Sequence, residues 1–185
     1  MIKIYYCDIF DVGKKILDYS DFSLNRKKYI DSINDGFRKA QSVAVWKLLL
    51  YALKRDFYVE KPSFVVCDGK WSLEGLSFEF SLSHSNNVVC VAVSNNGAVG
   101  VDVELCCDKL LKIANSFGVK QDEPDVLLKV AEKWTEKESI FKSNGGKIVL
   151  KRTIIDDNSN EYFLTASGID NECTVEKVNI QNLSF

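Results

Sequence analysis

Three strand-like runs follow one another in the middle of this chain with almost nothing between them. FEFSLSHS, VVCVAVS and AVGVDVEL are separated only by Asn86-Asn87 and by Asn95-Asn96-Gly97, residue types that suit tight chain reversals. Connections this short favour antiparallel neighbours, so the three runs are predicted to form a meander. Around them the period changes. IKIYYCDIF alternates like a strand, and Leu24 to Phe57 carries a helical pattern culminating in AVWKLLLYAL, expected to be buried over much of its circumference. After Pro62, SFVVCDGKWSL places Asp68-Gly69 where a two-residue hairpin turn belongs. Beyond the meander, LLKIANSF predicts a short helix. After Pro124 a longer helix runs to about Ser143, with Val126, Val130, Trp134 and Phe141 on its buried stripe and Gly145-Gly146 ending it. YFLTASGI and CTVEKVNI are predicted to be two closing strands. Strand, helix, meander, helices, strands is the order of an α+β protein, not of a doubly wound parallel sheet.

At 185 residues the chain has the length of one compact unit or two small lobes with a substantial core. A formal net charge of -2 gives no bulk electrostatic reason to bind nucleic acid or an anionic membrane, so any basic surface has to be local. There is no twenty-residue apolar run, and MIKIYYCDIF lacks the basic and long apolar regions of a secretory signal. A cytoplasmic location is expected. The six cysteines include no CxxC pair and read as reduced, small hydrophobes.

The chemistry gathers in three short segments. In GVDVE, Gly100 to Glu104, the alternation of a strand puts Asp102 and Glu104 on one face and Val101 and Val103 on the other. Two adjacent carboxylates repel unless something neutralises them, and a hard divalent cation with oxygen ligands can do so. A merely wet strand face is the competing reading. In WTEKESIFK, Trp134 to Lys142, Glu138 and Lys142 stand one helical turn apart, as a site pair or as an ordinary surface ion pair. In Ser83-His84-Ser85 the chain's one histidine lies at a strand end between two hydroxyls, where an imidazole can meet an anion. Neither serine sits in a GxSxG elbow, which argues against a Ser-His-Asp hydrolase.

SHS, GVDVE and WTEKESIFK, in this order and spacing, resemble the three signature motifs of the Sfp-type 4′-phosphopantetheinyl transferases. The combination is specific, above all the helix motif with Trp134, Lys137, Glu138 and Lys142 in place. The resemblance implies a pseudo-dimer of two similar lobes, here residues 1–97 and 98–185, with coenzyme A in the cleft between them. It implies transfer of the 4′-phosphopantetheine arm of coenzyme A to a serine hydroxyl of an apo acyl or peptidyl carrier protein, a holo-carrier synthase activity that releases 3′,5′-ADP. Asp102, Glu104 and Glu138 would ligate Mg²⁺, with Mn²⁺ able to substitute. Glu138 would also accept the serine proton, and Lys142 would stabilise the departing charge. His84 and Ser83 would lie at coenzyme A phosphate, with Arg26, Lys28, Arg38 and Lys137 as further basic contacts, and Lys70 would fall near the adenine.

The chain departs from that pattern in places. Trp71 stands where the family commonly has proline after Gly69-Lys70, and Gln41-Ser42 replaces an arginine and a small hydroxyl residue. Many relatives of that family continue into a further strand after the segment corresponding to CTVEKVNI, so an exposed sheet edge is expected there, covered by another element or by a partner chain. Two alternatives share the same residues: a binding module for coenzyme A or a carrier protein without turnover, and a metal-dependent phosphohydrolase. Neither the charge nor an aromatic-basic stripe favours nucleic acid as a substrate.

Overall fold

The computed structural model describes residues 1–10, 18–67, 69–145, 148–157, 160–169 and 172–183. Strand β1 (Ile2–Asp8) leads to helices α1 (Leu24–Asp31) and α2 (Gly36–Phe57), the hairpin of β2 (Phe64–Cys67) and β3 (Lys70–Leu73), and strands β4 (Glu79–Ser85), β5 (Val88–Ser94) and β6 (Val99–Leu105). A 3₁₀ segment (Asp108–Phe117), helix α3 (Val126–Lys142), strands β7 (Ile148–Asp157), β8 (Asn160–Gly168) and β9 (Cys173–Lys177), and a 3₁₀ turn (Ile180–Leu183) follow. The mixture is α+β, as its segment order predicts. No helix among the described residues is long and apolar enough to cross a membrane, and no disulfide forms among them.

The helical stretch from Leu24 is two helices. Ser23 and Asp35 each cap a helix N-terminus, the Asp35 carboxylate accepting the Arg38 N–H at 2.7 Å. The break leaves residues 32–35 as a loop beside the cleft described below.

The predicted three-stranded meander is corrected by the sheet order. One sheet runs β4-β5-β1-β9 and another β6-β8-β7, with β2-β3 a separate hairpin. β4 and β5 pair antiparallel across Asn86-Asn87 as expected, but the second edge of β5 is taken by β1, with Tyr5 opposite Val91. Strand β6 therefore finds no edge there and pairs with β8 instead, Asp102 opposite Thr165. Strand β7 is an addition to the reading from sequence; its alternation is interrupted by an irregularity between Val149 and Lys151. Strand β9 returns to the first sheet and pairs parallel with β1, so the strand following the 97/98 boundary by most of a lobe lies in the same sheet as residue 2. β9 is the outer strand of that sheet.

Three apolar clusters stack these layers. Tyr5, Cys7, Val89, Val91 and Val93 face α2, whose Trp46, Leu49 and Leu53 are fully covered. The alternate residues Ile2, Ile4, Val88, Cys90 and Ala92 face Val101, Val103, Leu164 and Ala166 of the second sheet. VVCVAVS is apolar on both faces because both faces are covered. A smaller cluster under α3 joins Val130 and Ala131 to Phe163.

The expected stripe of α3 needs correction as well. Its buried residues are Val130, Ala131, Thr135 and Ser139, whereas Phe141 is 78% exposed. Small side chains let the helix lie close on the sheet, and that closeness has its cause at Gly100. A Cβ there would stand 1.9 Å from the Ser139 carbonyl oxygen and 2.8 Å from the Ser143 nitrogen, both backbone atoms.

Candidate active site

Strands β4 and β6 are edge strands of different sheets, and they meet without a backbone ladder. Serine hydroxyls take its place. Ser81 Oγ accepts the Val101 N–H at 3.0 Å, Ser83 Oγ the Val103 N–H at 3.4 Å and Ser85 Oγ the Leu105 N–H at 3.1 Å. Because side chains alternate along β4, this leaves Phe80, Leu82 and His84 on its opposite face. Two of the hydroxyls also reach carboxylates: Ser83 donates to Asp102 Oδ1 at 2.7 Å and Ser85 to Glu104 Oε1 at 3.1 Å.

Helix α3 is fixed over β6 and β8 by hydroxyl pairs, Thr135 with Thr165 and Ser139 with Ser167, each at 2.7 Å. Its last turn carries Lys142 to the seam. The ammonium donates to Asp102 Oδ1 at 2.7 Å and to the Val101 carbonyl at 3.1 Å. Asp102 is only 6% exposed, so removing this cation would leave a charge that water cannot solvate. Glu138, one turn back, is half-buried. Burial raises the pKa of Glu104, with the Ser85 hydrogen bond opposing the shift and the Asp102 charge adding to it.

The donor set bears on the implied metal. Asp102 Oδ2 is buried and meets no hydrogen-bond donor among the described residues, although buried carboxylate oxygens are normally satisfied. Glu104 adds a second hard oxygen donor from the same strand face. Among the described residues, however, no group of three or more His, Cys, Asp or Glu side chains is arranged to hold a metal ion. The expected set of Asp102, Glu104 and Glu138 is thus not assembled. What is present fits a cation that takes two carboxylates and fills its remaining positions with water and substrate phosphate, the habit of Mg²⁺.

Beside the seam lies a cleft of about 870 Å³ lined by residues that include Arg26, Arg38, Ser42, Trp71, His84 and Lys142. Arg26 is 3% exposed. Its Nη2 donates to the carbonyl and hydroxyl of Ser42 at 2.8 and 2.9 Å, and its guanidinium lies 4.2 Å from the centre of the Trp46 ring. Nε has no partner. Burial lowers its pKa to about 10. His84 keeps solvent-exposed surface in the wall of the cleft, yet the protein packed around its ring, followed by the Lys142 and Arg38 charges, lowers its pKa. A concave wall allows both. The cleft sets Arg26, Arg38 and Lys142 against the single lining carboxylate of Asp35, and among the described residues no carboxylate pairs with Arg26, an arrangement suited to an anion with several phosphates.

The other basic residues divide. Ser83 borders the cleft while its hydroxyl serves Asp102. Lys70 and Lys137 line a neighbouring, more apolar groove of about 940 Å³ that shares Trp71, Leu82 and Lys142 with the cleft and includes Phe80, Ile140 and Phe141. Lys28 is exposed and lines neither. The sequence alone gives no role to Ser81 and none to Ser85 beyond its place in SHS, marks Ser42 only as a departure from the family pattern, and places Trp46 only in the apolar helix. The S-x-S-x-S spacing in FSLSHS was a visible signal for the first two; nothing in the sequence marked Trp46 as the floor under Arg26.

No family model matches this chain. A Synechocystis sp. protein provisionally named as a 4′-phosphopantetheinyl transferase is 31% identical to it over 105 residues, an alignment taking in 50% of this chain and 43% of that relative. The match spans less than half of the relative's length and supports the family resemblance carried by SHS, GVDVE and WTEKESIFK.

Proposed function

We propose that the protein transfers the 4′-phosphopantetheine arm of coenzyme A to a serine hydroxyl of an apo carrier protein, with Mg²⁺ required and 3′,5′-ADP released. The observation that carries this reading is the meeting, at one seam, of a buried carboxylate and a cleft holding a buried arginine, each with a polar atom that has no hydrogen-bond partner among the described residues. The name of the Synechocystis relative points the same way. The family's two-lobe arrangement belongs to this reading, with one lobe built on β4-β5-β1 and α2 and the other on β6-β8-β7 and α3.

In this mechanism Arg26, Arg38 and His84 hold the phosphates of coenzyme A by charge and hydrogen bonding. Asp102 and Glu104 would hold Mg²⁺. Held there, the ion would supply positive charge to offset what develops as the phosphoanhydride breaks. Glu138, which the resemblance makes a third ligand, is assigned here to accept the proton of the attacking carrier serine. Lys142, already at the seam, stabilises the charge on the departing 3′,5′-ADP. The serine oxygen forms the new bond to the β-phosphorus, and the bond from that phosphorus to the bridging oxygen breaks with both electrons leaving on ADP.

Incubation with coenzyme A, Mg²⁺ and an apo carrier, followed by mass measurement of the carrier, tests the assignment. A gain of one phosphopantetheine arm supports transfer. Retained coenzyme A binding without a gain identifies a binding module instead, and phosphate release from coenzyme A without carrier modification identifies a phosphohydrolase.

A further inference from the structure

We propose that Ser83 and Ser85 are positioning residues that aim the Asp102 and Glu104 carboxylates, while Ser81 serves only as a joint between the two sheets. The inference rests on the reading above that these carboxylates hold a divalent cation. A serine hydroxyl has one proton and two lone pairs. At Ser85 the lone pair takes the Leu105 N–H and the proton goes to Glu104; at Ser83 the lone pair takes the Val103 N–H and the proton goes to Asp102 Oδ1. Each of these hydroxyls therefore ties a carboxylate to the backbone N–H of the residue that follows it, which fixes the side chain relative to its own strand.

Ser81 makes the same bond to backbone, with Val101 N–H at 3.0 Å, and among the described residues its hydroxyl donates to no carboxylate. The difference separates joining from aiming. At Asp102 the consequence is specific. Oδ1 receives both Ser83 and Lys142, so among the described residues the buried Oδ2 has no donor and is left to meet a cation. Partners that orient ligands in this way commonly change metal affinity when removed, even though they never touch the metal.

The test uses the full chain, Mn²⁺ as the probe in the presence of coenzyme A, electron paramagnetic resonance for free Mn²⁺, and melting temperature. Ser81→Ala, Ser83→Ala and Ser85→Ala each orphan one β6 N–H and are expected to lower the melting temperature, Ser83→Ala the most because the buried Asp102 also loses a donor. Ser83→Ala and Ser85→Ala are expected to weaken Mn²⁺ binding about tenfold or more, and Ser81→Ala to leave it unchanged. Ser83→Cys, which fills the space but donates weakly, keeps the test decisive if an alanine variant does not fold, and should weaken binding too; Ser83→Thr, which restores the hydroxyl, should recover it. Equal Mn²⁺ affinity in all three alanine variants would overturn the aiming role while leaving the cation site intact. Absence of Mn²⁺ binding by the wild-type protein with coenzyme A would overturn both.

Discussion

Gly100→Ala tests the geometry on which the site depends. The added Cβ meets the Ser139 carbonyl oxygen at 1.9 Å and the Ser143 nitrogen at 2.8 Å. Neither neighbour can swing aside, because the two atoms are themselves hydrogen-bonded at 3.0 Å at the end of α3. Restoring an ordinary contact of about 3.5 Å requires the helix end to move by roughly 1.5 Å. Overpacking of this kind costs about 3 kcal/mol where backbone has to yield. For a chain of this size that lowers the melting temperature by about 6–12 °C. The displaced turn carries Lys142, whose 2.7 Å contact with Asp102 does not survive such a shift, and misplacement of reacting groups by about 1 Å costs roughly a hundredfold in rate. Differential scanning calorimetry and the carrier-modification assay read the two effects. Gly36→Ala is the control, since a Cβ there meets nothing within 4 Å. A Gly100→Ala protein that melts and turns over like wild type would refute the close-packing argument.

Glu104→Gln and Glu138→Gln should each reduce transfer by at least about a hundredfold in the same assay, because each removes a charge assigned to the reacting centre; near-wild-type turnover in either would remove its assignment. Arg26→Met should melt at or above the wild-type temperature, since a buried cation that no carboxylate among the described residues pairs with is replaced by an apolar chain, yet bind coenzyme A at least about tenfold more weakly in calorimetric titration. A less stable protein with unchanged coenzyme A affinity would contradict the phosphate role. Asp56 concerns stability alone. Burial pushes its pKa up, but hydrogen bonds from Arg55, Tyr5 and Lys3 outweigh that and hold it at about 2. Its contribution, about 2 kcal/mol, is therefore present above the ordinary carboxylate value and lost as pH falls from about 4 to about 2. Urea unfolding of Asp56→Asn should accordingly show a flatter decline of stability through that window.

Much of the site was legible because its chemistry is local in sequence. The alternation of GVDVE gives the side chains of Asp102 and Glu104 one common face, and the helical spacing of WTEKESIFK places Lys142 where it can reach back to β6. Partner choice was not legible. Whether β6 continues the meander depends on whether β5 has a free edge, and that edge is occupied by β1 from the other end of the meander's sequence. The same long-range competition hides the return of β9 to β1. The apolar reading of α3 failed at Phe141 because the helix packs through Gly100, Thr135 and Ser139, a close approach that needs small residues and so leaves little hydrophobic signal. Arg26 was named for its charge; that it lies buried against Trp46 with an unpartnered Nε is a property of the α1–α2 break, which two capping residues encode but periodicity does not show. The Asp68-Gly69 turn lies partly outside the described residues, as does the Gly145-Gly146 helix stop.

The most direct measurement of the proposed function is the stoichiometry of 3′,5′-ADP against modified carrier in one reaction with coenzyme A, Mg²⁺ and an apo carrier protein. One 3′,5′-ADP is expected for each carrier serine modified, with both products lost together in Glu104→Gln and in EDTA. Nucleotide released without carrier modification, or modification that persists undiminished in Glu104→Gln, would contradict it.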